Sequence, residues 1–371
     1  MKMEKQSDEI DDEIEVPVPA VEVIILNYKN KEMTAKCLES LEDTIYPRMT
    51  VTCIDNGSKD GSFEYLKEKF GGERWIRLIK NEENLGFTGG NNQAMQMCKA
   101  DYVCLLNNDT IVNPNWLWPL VSFMEKNPSA GLCQPKVKSM REPSKFENAG
   151  ASGGYIDIFG YPICRGRVFE NIEEDTGQYN DTVEVFWACG VACFIRTSIL
   201  KEIGYLDDNY FVYAEEVDMN WRAHLRGYDV FCIPRSEIYH WGKATTDKIG
   251  TDAKKGAFYE YMIHRNHVLI LLKNYAWWNL LWVIPCKLML EAMAFVAFFR
   301  KNRSKSWGIM KGLWWIMTHP HTIWKMRREA QKVRKVPDRV VMKKMLKTSV
   351  ALESFLLKHN SFKDYEERCR W

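Results

Sequence analysis

Four times between residues 21 and 112, a short apolar run ends in a polar, turn-forming loop, and three of these loops are followed by a helical spacing of apolar positions. The first run, 21–26, is Val-Glu-Val-Ile-Ile-Leu; Asn27-Tyr28 and a helical pattern over 32–42 follow it. The second, 50–54, ends in Asp55-Asn56-Gly57-Ser58, and Asp60 or Ser62 stands where it can cap a helix over 63–70. The third, 76–79, enters a glycine- and asparagine-rich loop over 81–92, then a helix through Ala94, Met95, Met97 and Cys98. The fourth is Tyr102 onward. Its apolar core, 103–106, is too short for a helix and suits a strand buried on both faces, and it stops at Asn107-Asn108-Asp109. This alternation predicts an α/β fold with a doubly wound, mostly parallel sheet and a crevice at the strands' carboxyl ends.

The pattern loosens over 131–182, which reads as a loop-rich excursion. A strand is expected over 185–195, with the small residues Ala188, Gly190 and Ala192 inside it, from close approach of a ligand or from tight packing. Helices are expected over 197–203 and from about Ala214, and a strand over 229–233 leads to Tyr239-His240-Trp241-Gly242-Lys243. A helix over 259–273 carries Arg265-Asn266. Trp277-Trp278-Asn279 then introduces a mostly apolar stretch, 280–299, closed by Arg300, Lys301 and Arg303. Its length permits a membrane span, but Lys287 and Glu291 near the middle make spanning costly, so an in-plane or half-inserted helix is expected. A helix hairpin or a homodimer contact is the soluble alternative. Trp314, Trp315 and Trp324 beside Lys325, Arg327, Arg328, Arg334 and Lys335 suit the headgroups of anionic lipids, which extends the expected membrane contact over 277–335.

Composition adds limits. The 371 residues allow two domains, or one large domain with an appendage, and the net charge of +2 gives no reason to expect nucleic acid. The start is acidic (Asp8, Glu9, Asp11, Asp12, Glu13, Glu15), so 1–20 is expected to be a disordered tail. Eleven cysteines without any Cys-x-x-Cys pair, and with no further ligands near Cys189 and Cys193, read as reduced and buried in a cytosolic compartment; no signal peptide opens the chain.

Asp55, Asn84 and Asp109 each stand at or just beyond a strand end. Singly each is an ordinary turn or cap residue; on successive strands they point to one site, where hard oxygen donors suit a divalent cation. The glycines before the third helix present amides to a phosphate or a sugar hydroxyl, although they form neither a Gly-x-Gly-x-x-Gly motif nor a Walker loop. Asp218 and Arg222, four apart on a helix, are an ordinary stabilising pair. Glu215 and Glu216 have no such partner, and adjacent carboxylates in a cleft raise one pKa toward that of a usable base. His240 is a packed imidazole or a metal ligand.

Asn27-Tyr28, Asp55-Asn56-Gly57-Ser58 with Asp60-Gly61-Ser62, Asn84-Leu85-Gly86-Phe87 with Gly89-Gly90-Asn91-Asn92, Leu106-Asn107-Asn108-Asp109, and Tyr213-Ala214-Glu215-Glu216-Val217-Asp218 with Trp221-Arg222 occur in this order. Together they resemble glycosyltransferase family 2, in particular its rhamnosyltransferase-like branch, over roughly 21–243. The resemblance implies the GT-A nucleotide-diphospho-sugar transferase fold, as a catalytic domain over 21–250 followed by a helical, basic and aromatic region over 251–371. It implies that Tyr28 and Asp55, with Asn27 and Asn56, hold the nucleobase side of the donor. Asn84, Gly86, Gly90 and Asn91 would border nucleotide and sugar, and Asn107, Asn108 and Asp109 the diphosphate. Asp109 matches the last acid of the family's Asp-x-Asp motif, which binds Mg2+ or Mn2+, and His240 a position that completes the metal or diphosphate site. The base falls on Glu216, with Glu215 its neighbour; Trp187, Gly190, Asp218, Trp221 and Arg222 fall on the acceptor side. Two departures stand out: Glu216 replaces the family's usual Asp, and Asn107 and Asn108 stand where many members carry acids.

The expected activity is inverting, metal-dependent transfer from a nucleotide-diphospho-sugar to a hydroxyl of a lipid-linked or polymeric glycan at the cytoplasmic face of the cell membrane, with rhamnosyl transfer among the reactions allowed. The rival is a catalytically silent sugar-nucleotide or glycan-binding subunit. A nucleotidyltransferase is the third reading, but a glycine-rich loop with a basic residue for triphosphate is missing after the first strand.

Overall fold

The computed structural model describes residues 18–242 and 257–367. Most of the expected acidic tail and the boundary expected at 250 lie outside these residues. Residues 18–20 are held in place: Arg48 and the Tyr46 hydroxyl donate to the carbonyls of Val18 and Pro19 at 2.6 Å each, and Ala20 N donates to Asp101 Oδ2 at 2.7 Å.

The expected alternation is present as β1 (Val21–Asn27), α1 (Lys31–Glu42), β2 (Met49–Asp55), α2 (Ser62–Phe70), β3 (Ile76–Lys80), α3 (Gly86–Met97) and β4 (Tyr102–Asn107). β5 (Thr110–Val112), α4 (Leu117–Lys126) and β6 (Ala130–Ser139) follow. Four short strands, β7 (Gly154–Ile156), β8 (Pro162–Cys164), β9 (Arg167–Val168) and β10 (Asn171–Ile172), form a second sheet in the order β10-β9-β8-β7. β11 (Val183–Glu184), β12 (Ala192–Arg196), α5 (Thr197–Ile203), α6 (Glu215–Arg226) and β13 (Asp229–His240) complete the main sheet, whose order is β11-β13-β6-β12-β4-β1-β2-β3, with β5 on β13. β4-β1-β2-β3 is parallel, as is β6 with β13, while β12 runs antiparallel between β4 and β6. The strands read as apolar are buried: Val103 and Cys104 are fully covered, as are Val23, Ile24 and Ile25. Register then sets the site. Asn27 lies opposite Asp55, Leu26 opposite Asn107 and Asp55 opposite Lys80, so the polar strand ends share one edge.

Three expectations are corrected. Helix α3 begins at Gly86, so Gly89, Gly90, Asn91 and Asn92 are helical and do not form an amide-presenting loop. The physical need at Gly90 is closeness, since a Cβ there would sit 2.4 Å from the Leu26 side chain. The stretch 131–182 holds a ten-residue strand and the second sheet. β6 escaped notice because it buries polar residues, Gln134 and Lys136, the latter paired with Asp175 at 3.0 Å. Only the end of 185–195 is a strand. Before it, side-chain amides serve the backbone: Asn220 bonds both the N–H and the carbonyl of Ala188 at 3.2 Å, and Gln134 accepts from Cys189 N at 2.9 Å.

Helices α7 (Ala257–Asn274), α8 (Trp277–Lys301), α9 (Arg303–Thr318) and α10 (Pro320–Lys332) pack beside this sheet. Gly308 and Gly312 let α9 lie directly on α7, where a Cβ at Gly308 would meet the Ala257 carbonyl at 2.5 Å. α8 is long and apolar enough to cross a membrane by length and composition, with a mean hydropathy of 1.8, and about a fifth of that window (22%) is buried. Lys287 and Glu291 point inward, 2.9 Å apart and fully buried, with His264 on Glu291 at 2.5 Å. Two of the cations expected to meet lipid are used internally. Arg327 donates to the Leu272 and Tyr275 carbonyls at 2.7 and 2.6 Å, and Arg334 pairs with Asp338 at 2.6 Å; together with Gln331 they satisfy the last carbonyls of α7. The ten described cysteines are all free.

Candidate active site

The polar strand ends border a cleft of about 700 Å³. On its first side, Asn27 and Asp55 are scaffold. Both are buried, Asn27 Nδ2 donates to Asp55 Oδ2 at 2.7 Å, Ser58 N donates to Asp55 Oδ1 at 2.9 Å, and Thr34 bridges Asn27 to Asn108 with bonds of 2.8 Å. These links lock the ends of β1 and β2 and free Tyr28 and Asn56 to line the cleft. Asn56 holds the next loop. Its carboxamide oxygen accepts from Leu85 N and Asn81 Nδ2 at 3.1 Å, and its nitrogen donates to Asn84 Oδ1 at 2.9 Å and to the Gly86 carbonyl at 3.0 Å. Gly57 permits this approach, with φ +77° and space that a Cβ would fill 2.4 Å from the Glu83 backbone. Asn84, Gly86 and Asn91 line the cleft; Gly90, on the helix face against β1, does not.

Asp109 and His240 meet on the floor, where β13 carries the histidine opposite Thr110 of β5. His240 Nε2 lies 2.9 Å from Asp109 Oδ1 and 3.3 Å from Asn107 Nδ2, and Glu147 stands 3.8 Å from Nδ1. Burial alone would lower the imidazole pKa, but the carboxylates of Asp109 and Glu147 raise it to about 9. Among the described residues no group of three or more His, Cys, Asp or Glu side chains is arranged to hold a metal ion by itself. One carboxylate and one imidazole fit a cation whose remaining ligands are the oxygens of a bound diphosphate, the usual economy of Mg2+ sites at phosphates. His240 Nδ1, buried without a hydrogen bond, leaves room for that charge balance to change.

Helix α6 brings Glu215 and Glu216 into the lining of the same cleft. Each has a buried Oε2 without a hydrogen-bond partner. Burial raises both carboxyl pKa values, and for Glu215 the neighbouring Glu216 adds to the rise. The turn that delivers them is unusual. Phe211, Tyr213 and Ala214 all have left-handed backbones, with φ of 66°, 69° and 70°, a conformation that costs non-glycine residues about 1–3 kcal/mol each. Helix α7 holds it there: Asn266 Nδ2 donates to the carbonyls of Tyr210, Val212 and Tyr213 at 3.3, 2.9 and 2.6 Å, and Arg265 donates to those of Asn209 and Tyr210 at 2.9 and 2.7 Å.

The structure corrects three acceptor-side assignments. Asp218, Trp221 and Arg222 lie outside the cleft, because α6 turns them into the core. Asp218 is bound by Lys273 at 2.7 Å, Arg222 at 2.9 Å and Asn274 at 2.8 Å, and Arg222 also bonds the Gly204 and Tyr205 carbonyls at 3.1 and 2.7 Å. Trp221 packs edge-on against Phe186 and Tyr275. Trp187 and Gly190 do line the cleft, as do Asn107, Asn108, Asp109 and His240. Reading the sequence missed Asn148, Arg167, Tyr259, Asn266 and His267, which reach the cleft from the segment between β6 and β7, from the second sheet and from α7. The signal for Asn266 was present, since Arg265-Asn266 interrupts an otherwise apolar stretch of helix.

A sheet of this order, with a metal-competent acid at one strand end and paired carboxylates on a facing helix, defines a nucleotide-sugar transferase fold. Residues 22–204 match the family model described as glycosyl transferase family 2, and this part of the chain belongs to that family. The chain is 22% identical over 309 residues to an N-acetylglucosaminyl-diphospho-decaprenol L-rhamnosyltransferase of Mycobacterium tuberculosis, covering 78% of this chain and 97% of that one. It is 23% identical over 219 residues to a poly-beta-1,6-N-acetyl-D-glucosamine synthase of Staphylococcus epidermidis, covering 59% of this chain and 49% of the relative, so the match spans about half of that protein. The solved mannosyltransferase of Pyrobaculum calidifontis in complex with GDP-Man and Mn2+ shares the fold, with a TM-score of 0.50, 14% identity and coverage of 86% of both chains.

Proposed function

We propose that the chain is an inverting, metal-dependent glycosyltransferase that moves a sugar from a nucleotide-diphospho-sugar to a hydroxyl of a lipid-linked or polymeric glycan. The observation that carries this reading is the pair of carboxylates Glu215 and Glu216, each with a buried Oε2 that has no hydrogen-bond partner, lining the same cleft as Asp109 and His240. Tyr28, Asn56 and Asn84 bind the nucleotide half of the donor. Asp109 and His240 would hold Mg2+ or Mn2+, which offsets charge on the departing diphosphate. Glu216, kept basic by burial, takes the proton of the acceptor hydroxyl as that oxygen attacks the anomeric carbon. Asn107 and Asn108 orient without adding charge. A single displacement with one base and no enzyme nucleophile inverts the anomeric centre.

Rhamnosyl transfer is supported by the likeness to the mycobacterial relative. The outer side of α8 and α9, with Trp278, Leu281, Trp307, Trp314 and Met317 exposed, supports peripheral contact with the cytoplasmic face of the membrane. The test is release of nucleoside diphosphate from a panel of nucleotide sugars, with and without Mn2+. Release that requires both Mn2+ and Asp109 is expected; no release from any donor would leave a binding subunit as the function.

A further inference from the structure

Among the described residues lining the cleft, Arg167 is the one Arg or Lys, and the same lining carries the acids Asp109, Glu215 and Glu216. Its hydrogen bonds go to the carboxamide of Asn148 at 3.3 Å, the carbonyl of Phe169 at 3.2 Å and the sulfur of Cys164 at 3.7 Å, all neutral groups, and its buried Nε has no partner. The lining also holds His267, 8% exposed, whose Nδ1 lacks a partner as well. Burial and the nearby Lys287 hold this imidazole neutral, well below its ordinary pKa. A guanidinium without an acid partner at a cleft wall is a receptor for an anion, and its fork matches phosphate oxygens.

The position of Arg167 bears on which anion. It sits on the small second sheet, whose β7–β8 turn reaches the apolar helix: Phe159 meets the Trp282 ring edge-on at 6.3 Å, and Lys287 lies 3.5 Å over the Tyr161 ring, which in turn meets His267 at 5.6 Å. Tyr259, which shares the cleft lining with Arg167, meets the Tyr213 ring at 5.5 Å, two residues before Glu215. Arg167 thus belongs to a sheet that packs on α8 and lines the cleft that holds Glu215 and Glu216. We propose that Arg167 binds a phosphate of the acceptor, so that the enzyme selects sugars carried on a lipid phosphate or diphosphate. This rests on the glycosyl-transfer reading and adds the acceptor's chemical class. The donor's own diphosphate is the competing source of the anion.

Binding by the full-length chain separates the two, with farnesyl diphosphate and farnesol as probes of the acceptor side and nucleoside diphosphates with Mn2+ as probes of the donor side. Wild-type protein is expected to bind farnesyl diphosphate roughly tenfold or more tightly than farnesol. Arg167→Gln should erase that preference, Arg167→Lys should keep part of it, and both should bind the nucleoside diphosphate within about twofold of wild type. Equal binding of the two prenyl probes by wild type overturns the assignment without any variant. Loss of nucleoside diphosphate binding in a folded Arg167→Gln protein assigns the residue to the donor and overturns it as well. If wild-type protein binds no nucleoside diphosphate with Mn2+, the glycosyl-transfer reading itself falls.

Discussion

Asn266 Nδ2 donates to the Tyr213 carbonyl at 2.6 Å, so a side chain from the C-terminal helices fixes the turn that aims Glu215 and Glu216 into the cleft. Without that bond and its two companions, the carbonyls of Val212 and Tyr213 lose their side-chain partner and Arg265 alone holds the start of the turn. Asn266→Ala should let the turn relax and lower kcat by roughly 10- to 100-fold, the rate equivalent of about 1–3 kcal/mol of lost positioning. The KM for the donor, whose nucleotide half is assigned above to Tyr28, Asn56 and Asn84, should change little. A parallel rise in donor KM would mean that Asn266 supports the whole cleft.

The paired carboxylates set a pH dependence. With Glu216 as the proposed base, transfer would need it ionised, and burial raises its pKa above the ordinary carboxylate range. Activity should therefore fall as pH is lowered, with a midpoint above that of a solvated glutamate, and the two groups should titrate as a pair. Glu216→Gln should abolish transfer. Glu215→Gln should retain activity and leave the acid limb of the kcat profile near its wild-type position, because burial and not Glu215 raises the Glu216 pKa. Near wild-type turnover by Glu216→Gln would assign the base to Glu215.

Asp109 should be needed for metal-dependent donor binding and dispensable for folding, because its partner His240 lies at a strand end and β13 is held along most of its length by β6. Calorimetric titration of a nucleoside diphosphate should show tighter binding with Mn2+ in wild type and no Mn2+ effect in Asp109→Ala, with both proteins melting within a few degrees of one another. A full Mn2+ effect in the variant would exclude Asp109 as a ligand.

Asp218 carries stability where acceptor contact had been expected. Burial would raise its pKa, but Lys273 and Arg222 hold it down at about 2. A depressed carboxylate contributes stability that is present above its unfolded pKa of about 3.9 and lost as pH falls through about 2. Asp218→Asn leaves the buried Arg222 without its acid partner and Lys273 with Asp207 alone, and should cost about 3–5 kcal/mol in urea unfolding at neutral pH, with a smaller difference near pH 2. An equal difference at both pH values would remove the ionic account.

This contrast marks what was legible in the sequence. The β1–β4 half could be read because β1, β2 and β4 are largely buried apolar runs and every strand there is closed by turn formers, with Tyr28, Asn56, Asn84 and Asp109 in the segments that follow. β6 and the second sheet could not, since Gln134, Lys136 and Arg165 are buried among their residues and break the alternation. Asp218 and Glu216 share a helical turn and a charge, and only the three-dimensional neighbours Lys273 and Asn274, more than fifty residues away, separate a core ion from a cleft acid. Arg167 and His267 reach the cleft by tertiary packing alone.

Membrane contact through α8 depends on which way its charges face. Lys287 and Glu291 interrupt the apolar sequence, yet both are turned onto α7 and the β7–β8 hairpin, leaving an outer face of Trp278, Leu281, Met289 and Val296. Leu281 is 66% exposed and Met289 59%. Transfer of each such side chain into hydrocarbon is worth about 1.5–3 kcal/mol, enough in sum for reversible docking without a span. Leu281→Glu with Met289→Glu reverses this at two points of one face without touching the cleft. The full-length wild type should float with anionic liposomes and the double variant should stay in the soluble fraction, while both release nucleoside diphosphate from the donor in water at similar rates. Flotation of the double variant to the wild-type extent would place the membrane contact elsewhere on the chain.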